Sequence, residues 1–141
     1  MIRPMLMEDW EVVVAMFLDW PLDNKGPCTT DRTIGNMRRW LQQSHPFIYE
    51  VDSVPVGLVN ANLDYSEVLH AVIVKAERGK GHSTIMLTEF ATLMIAQGVT
   101  EMSFDALDQS KFIADKYHPE STRQGETGDI HRAKALKADF D

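Results

Sequence analysis

Cysteine is almost absent: Cys28 is the one thiol in 141 residues. A lone thiol makes no internal disulfide, and without a CxxC pair there is no zinc-finger spacing, so the fold must rest on its own core. Long hydrophobic runs are missing too. The longest mostly apolar stretch, Val12 to Leu18, is far short of a bilayer span. The opening Met1-Ile2-Arg3-Pro4 lacks the apolar centre of a secretion signal. Basic residues are scarce: 14 Lys and Arg face 21 Asp and Glu, a net charge of −7. Such a chain repels nucleic acid and anionic lipid unless its few cations cluster. These absences predict no nucleic-acid partner, no membrane association, and a reducing cytoplasmic setting.

Apolar residues are plentiful by contrast. They make up 44% of the chain and recur throughout it, the profile of a globular protein. The length suits one core, so residues 1–141 are read as a single domain. Ile2 to Pro4 predicts a short strand. Trp10, Val13, Val14, Phe17 and Leu18 trace one face of a helix that Pro21 stops. Residues 21–29 read as a loop, and a second helix is expected from about Asp31 to Gln43, with Ile34, Met37 and Leu41 on its apolar face. Phe47 to Val51 and Val54 to Val59 predict a hairpin across Asp52-Ser53. Glu67 to Val74 predicts another strand, Ser83 to Gln97 a helix, and Val99 to Phe104 a strand. Ser110 to Tyr117 predicts a short helix; 120–129 reads as a loop, and 130–140 fits strand or helix equally. Alternating helices and strands argue for helices packed on a sheet.

The most informative segment joins the strand ending at Val74 to the helix beginning at Ser83. Gly79 and Gly81 allow the backbone to curl with its N–H groups inward, and the first N–H groups of a helix lack partners. Together these make a cradle for phosphate oxygens. Lys75, Arg78 and Lys80 add a local patch of positive charge to an acidic chain. An ordinary exposed turn remains the competing reading. A Walker loop is excluded, since G-x-x-x-x-G-K-[ST] does not occur, and so is a dinucleotide fingerprint, whose third glycine position holds Ser83.

Arg78-Gly79-Lys80-Gly81-His82-Ser83 resembles the R-x-x-G-x-[GA] signature of the GNAT acyltransferase superfamily, with Ser83 departing at the last place. Ile2-Arg3-Pro4 with Glu8-Asp9, and Phe47 to Leu58 with Val56-Gly57, are similar to that family's opening elements and hairpin. The resemblance is strongest over 2–117. Beyond it, His118-Pro119-Glu120 stand where members carry a Gly-Phe pair. The resemblance implies an α/β (α+β) fold: a mixed, mostly antiparallel central sheet flanked by helices, with splayed strands forming a cleft for CoA. It implies acetyl-CoA as co-substrate, no metal, and an amine acceptor, either a small molecule or a peptide, with a homodimer open. The family's cofactor contacts fall here on Ile73, Val74, Arg78, Gly79, Lys80, Gly81, His82, Ser83 and Thr84.

Three residues are candidates for chemistry. Leu69 to Val74 is similar to the strand that carries a catalytic histidine in serotonin N-acetyltransferase, which makes His70 a candidate base; a strand histidine bonded for structure is the alternative. Glu67 is a second candidate, three residues earlier and so expected on the opposite face, or else a solvated strand end. Ser110 to Tyr117 resembles the family's N-x-x-A-x-x-x-Y segment, which makes Tyr117 the candidate acid, a core ring being the alternative. The resemblance also implies that the loop between the first two helices shapes the acceptor pocket, where Asp19, Asp23 and Asp31 would suit a cationic acceptor, ordinary surface acids being the alternative. A non-catalytic binding or structural module on the same scaffold is the competing function.

Overall fold

The middle residue of β1 (Ile2–Pro4) fastens three elements together. The structure, a computed structural model, describes residues 1–18, 29–99, 101–106, 119–125 and 128–134. Arg3 meets Asp9 with two parallel bonds, Nη1 to Oδ2 at 2.9 Å and Nη2 to Oδ1 at 2.7 Å, and its Nε reaches Glu50 Oε1 at 2.7 Å. Asp9 also accepts the Leu6 N–H at 2.8 Å. Burial pushes the Asp9 carboxyl upward, but the guanidinium and that amide outweigh it and hold the group below its ordinary value. The chain therefore turns directly from β1 into α1 (Trp10–Phe17).

Val13, Met16 and Phe17 form the buried face of α1, while Trp10 and Leu18, expected on that stripe, are exposed. Helix α2 (Thr30–Gln43) is capped by the Thr29 hydroxyl, which accepts the Arg32 N–H at 3.2 Å. It buries Thr33, Met37 and Trp40 rather than Ile34 and Leu41. Periodicity located both helices but not their roll, because the large rings of Phe17 and Trp40 meet across the layer and decide what goes inside.

Strands β2 (His45–Val51) and β3 (Val54–Asn62) form the expected hairpin. Asp52 and Ser53 both have positive φ, 51° and 66°, the turn whose twist matches paired strands. Then come β4 (Glu67–Ile73), α3 (His82–Ala96), β5 (Glu101–Ala106), β6 (Pro119–Gly125) and β7 (Gly128–Lys134). They build one seven-stranded sheet in the order β1-β2-β3-β4-β5-β7-β6. Among the described residues only the β4–β5 pair is parallel. The sheet is thus mixed and mostly antiparallel, as expected.

Residues 120–129 correct the sequence reading. Residues 120–125 and 128–129 are strand, in the β6–β7 hairpin, and β7 makes 130–134 of the ambiguous end a strand, while 126–127 and 135–140 lie outside the described residues. Pro-Glu-Ser-Thr-Arg-Gln-Gly has no apolar alternation to announce a strand. Its pairing comes from β7, which is itself held by β5, a non-local cause that local composition does not encode.

Each face of the sheet carries its own core. Val59, Ala61, Val68, Ala71 and Ile73 pack with Met86, Leu87, Phe90 and Met94 of α3. Ile48, Leu58 and Val72 pack with Met5, Val13, Met16, Phe17, Met37 and Trp40. Gly57 sets the closeness of α3: a Cβ there would lie 2.7 Å from Met86 Sδ, 2.9 Å from Ile73 Cδ1 and 3.2 Å from the Val72 carbonyl oxygen. Gly35, exposed on α2, has no atom within 4 Å of its Cβ position. Alanine at the two sites should therefore act with opposite sign. Gly57→Ala overpacks the core and is expected to lose about 1–3 kcal/mol, whereas Gly35→Ala gains about 0.5–1 kcal/mol of helix stability. Urea denaturation of both variants checks this, and equal effects would refute the packing account.

Candidate functional site

β4 is where the sheet opens. It pairs with β5 only through Glu67↔Ser103 and Val68↔Phe104, although it runs on to Ile73. On its other side the register with β3 slips, from Ala61↔Val68 to Asn60↔His70, so that Leu69 is an extra residue. An inserted residue bends a strand and raises its twist. The bend falls where pairing with β5 stops, although β5 runs on to Ala106.

The bulge also rearranges faces. In a regular strand, residues three apart lie on opposite faces. Here Glu67 pairs with Asn62 and His70 with Asn60, which share a face of β3, so Glu67 and His70 both lie on the α1/α2 side. The expectation of opposite faces is corrected by this one residue.

Past the bulge, Val74 N–H donates to the Val56 carbonyl at 2.9 Å, within the ladder to β3. Alternation then turns the peptide groups of Ala71 and Ile73 away from β3, toward the β5 side. Of the two expected cofactor residues on this strand, Ile73 thus presents its backbone to the opening and Val74 does not. The Ile73 carbonyl accepts from Arg78 Nε at 2.8 Å, and Arg78 Nη2 donates to the Met16 carbonyl at 3.3 Å. Arg78 therefore straps the end of β4 to α1 rather than extending over the glycine loop.

The loop has the backbone curl that its glycines predict. A 3-10 turn, Lys75–Glu77, leads into Gly79 and Gly81, with φ of 80° and 83°. A Cβ at either glycine meets nothing within 4 Å. Gly81 is the N-cap of α3, and no side chain caps that end. Among the described residues no backbone carbonyl accepts from the N–H of Gly79, Lys80 or Gly81. A bare helix start, free of acidic residues in its first turn and entered through an open glycine turn, suits a pyrophosphate. Ser83 and Thr84 stand in that first turn. Glu77, which the sequence reading passed over, holds the loop's other side chains: its Oε2 accepts from His82 Nε2 at 3.1 Å and pairs with Lys80 Nζ at 3.3 Å. His82 and then Lys80 draw its carboxyl below the ordinary value. Both ends of the Lys80 pair are solvated, so an incoming phosphate meets little resistance there.

His70 lies between aromatic rings, 5.1 Å from Trp40 and 5.9 Å from Phe17 by centroids. Its Nδ1 is 3.3 Å from Asn60 Nδ2. Burial, with a smaller push from Arg39, lowers its pKa from 6.5 to about 4, so the ring is uncharged at neutral pH. Asn60 and Ser44, which hold this histidine, were not singled out from sequence; the one available signal was a polar residue inside the apolar run Val56 to Ala61. Glu67 stands at the start of β4, beside the last residues paired to β5. Tyr117, Asp19 and Asp23 lie outside the described residues.

No protein-family model matches this sequence, and no curated protein matches it. Solved structures do match. A GCN5-related N-acetyltransferase from Rhodopseudomonas palustris superposes with a TM-score of 0.69 at 17% identity, over 95% of this chain and 94% of that one. The PaiA N-acetyltransferase from Thermoplasma acidophilum, solved in complex with coenzyme A, gives 0.66 at 15% identity, over 95% and 98%. A mutant of the spermidine N-acetyltransferase SpeG from Vibrio cholerae gives 0.68 at 13% identity, over 99% and 96%. The fold is that of the GNAT N-acetyltransferases.

The lowered pKa of His70 has a measurable consequence. The unfolded chain takes up this proton near pH 6.5 and the folded chain only near 4, so the group's contribution to stability is present above 6.5 and is lost as pH falls through about 4. NMR titration of the His70 ring is expected to show a midpoint near 4, and His70→Gln should flatten acid destabilisation across that window. A midpoint near 6.5 would contradict the burial described here.

Proposed function

We propose that this chain transfers an acetyl group from acetyl-CoA to a primary amine by direct attack. The observation that carries the reading is the continuity of one path: β4 parts from β5 at Val68, Ile73 turns its backbone toward the gap, and the strand leads into an open glycine turn on a bare helix start. The fold shared with N-acetyltransferases, one of them holding coenzyme A, supports it. Acetyl-CoA, when bound, supplies the activated acetyl thioester.

The chain's own residues then have separable duties. The N–H groups of Gly79, Lys80, Gly81 and the first turn of α3 hold the pyrophosphate, with the Lys80 ammonium leaving Glu77 for it. The Ile73 N–H, facing the gap, orients what enters between the strands. His70 and Glu67 share the face from which an amine would come, and Tyr117 is the proton donor toward the departing sulfur. The acceptor is a small cationic amine or a peptide amine; the likeness to a spermidine acetyltransferase and the acidic character of this chain both suit a cation. One observation favours a second reading, a non-catalytic module: Arg78 is turned onto the Ile73 and Met16 carbonyls, leaving fewer cations for phosphate. Turnover against a panel of amines separates the two.

Coenzyme A at a hundredfold its dissociation constant is expected to add about 2.7 kcal/mol of apparent stability, raising the melting temperature by about 5–10 °C. Gly81→Val, folded by circular dichroism, should abolish the rise. A folded wild-type protein with no shift at millimolar coenzyme A would overturn the proposal.

If Tyr117 donates the proton, Tyr117→Phe should lower kcat by about 10²–10⁴-fold while coenzyme affinity is unchanged. Unchanged turnover would remove that assignment.

A further inference from the structure

Asn60 is a fully buried carboxamide in an apolar strand, and a group so placed must find its hydrogen bonds within the protein. Its Oδ1 lies 2.9 Å from Ser44 Oγ, and its Nδ2 lies 3.3 Å from His70 Nδ1. Ser44 Oγ is also 3.1 Å from the Trp40 carbonyl at the end of α2. A hydroxyl has one proton, and a carbonyl oxygen only accepts. The Trp40 carbonyl already accepts the Ser44 backbone N–H at 2.8 Å, and its contact with Ser44 Oγ is a second bond only when the hydroxyl proton points there. With the amide oxygen toward Ser44, two acceptors compete for that proton, and one contact is no bond.

A half-turn of the amide exchanges oxygen and nitrogen without changing its shape. Asn60 Nδ2 then donates to Ser44 Oγ, Ser44 donates to the Trp40 carbonyl, and Asn60 Oδ1 faces His70 Nδ1. That last contact is a bond only if Nδ1 carries the proton. All three contacts are hydrogen bonds at once in this arrangement, whereas the other leaves one unmade.

Resting on the acetyl-transfer reading above, we propose that Ser44 and Asn60 are positioning residues that hold the His70 proton on Nδ1 and keep Nε2 as an open acceptor where β4 and β5 part. Nε2 has no partner among the described residues. The only side-chain nitrogen or oxygen buried without a partner among them is His82 Nδ1, so His70 Nε2 is accessible. Trp40 and Phe17 fix the plane of the ring.

The orientation matters for a weakly basic imidazole. Such a ring does not deprotonate a free ammonium efficiently, so the acceptor first loses one proton to water. As the amine nitrogen bonds to the acetyl carbon, its remaining N–H becomes far more acidic. Nε2 takes that proton, the C–S bond breaks, and the thiolate takes a proton from a second donor, Tyr117 in the reading above. Throughout, Nδ1–H stays on Asn60 Oδ1, which favours the charge forming on the ring. The imidazolium then gives its proton to water, and the tyrosinate regains one from water, so both groups return to their starting state.

The test is the tautomer itself, read in coenzyme-free protein labelled with ¹⁵N-histidine at pH 7. His70 is expected to show a protonated Nδ1 and an unprotonated Nε2. Asn60→Leu removes the acceptor and should move the proton to Nε2, and kcat should fall by at least about 10²-fold with coenzyme affinity unchanged. Should that buried variant fail to fold, Ser44→Ala, at the half-buried end of α2, frees the amide to turn and should populate the Nε2–H form. A wild-type ring protonated at Nε2, or a tautomer unmoved in the folded variants, overturns the proposal. The stated tautomer in a protein that binds no coenzyme A supports the relay and overturns only the acetyl-transfer reading.

Discussion

One inserted residue in β4 organises much of the site. Leu69 has no partner of its own in β3, and the strand bends where its pairing with β5 ends. From that bend follow the gap between β4 and β5, the turning of the Ile73 peptide toward it, and the placing of Glu67 and His70 on one face. The cost of broken pairing is carried elsewhere. The two cores, one under α3 and one under α1 and α2, clamp β3 and the paired side of β4, and Gly57 brings α3 close enough to do so.

Charge is handled with the same economy. Buried or half-buried charges are matched individually: Arg3 with Asp9 and Glu50, and Arg78 with two carbonyls. These tie β1 to the start of α1, and the end of β4 to the end of α1, so the helix is fastened at both ends. At the glycine loop the matching is looser. Glu77 gathers His82 and Lys80 at the surface while the helix start beside them is left bare. Tight pairing where rigidity is needed and weak pairing beside the open helix end is the distribution expected if an anion is to enter there.

His70 is a titratable side chain that also packs as part of a core. Its ring helps fill the space between Phe17 and Trp40, and burial keeps it uncharged at neutral pH. Behind it stands a polar pair, Asn60 with Ser44, in a mostly apolar layer. A buried polar chain is expensive unless every member is satisfied.

Much was legible from the sequence, and the reasons are local. Glycines with nothing but φ to offer marked the loop, Asp52-Ser53 marked the tight hairpin, and apolar periods marked the three helices, because each is a property of a few consecutive residues. The roll of α1 and α2 was not, since Phe17 and Trp40 choose their faces by meeting each other. Nor was the closing β6–β7 hairpin, whose polar residues pair through a strand held by β5. The bulge was the largest omission: nothing in Glu67 to Ile73 marks Leu69 as extra, because its register exists only relative to β3. The sequence by itself determined that a glycine turn joins a buried strand to a helix. Tertiary structure alone decided which peptide groups face the gap, where Arg78 points, and which side chains stand behind His70, because these depend on register and packing between segments far apart in the chain.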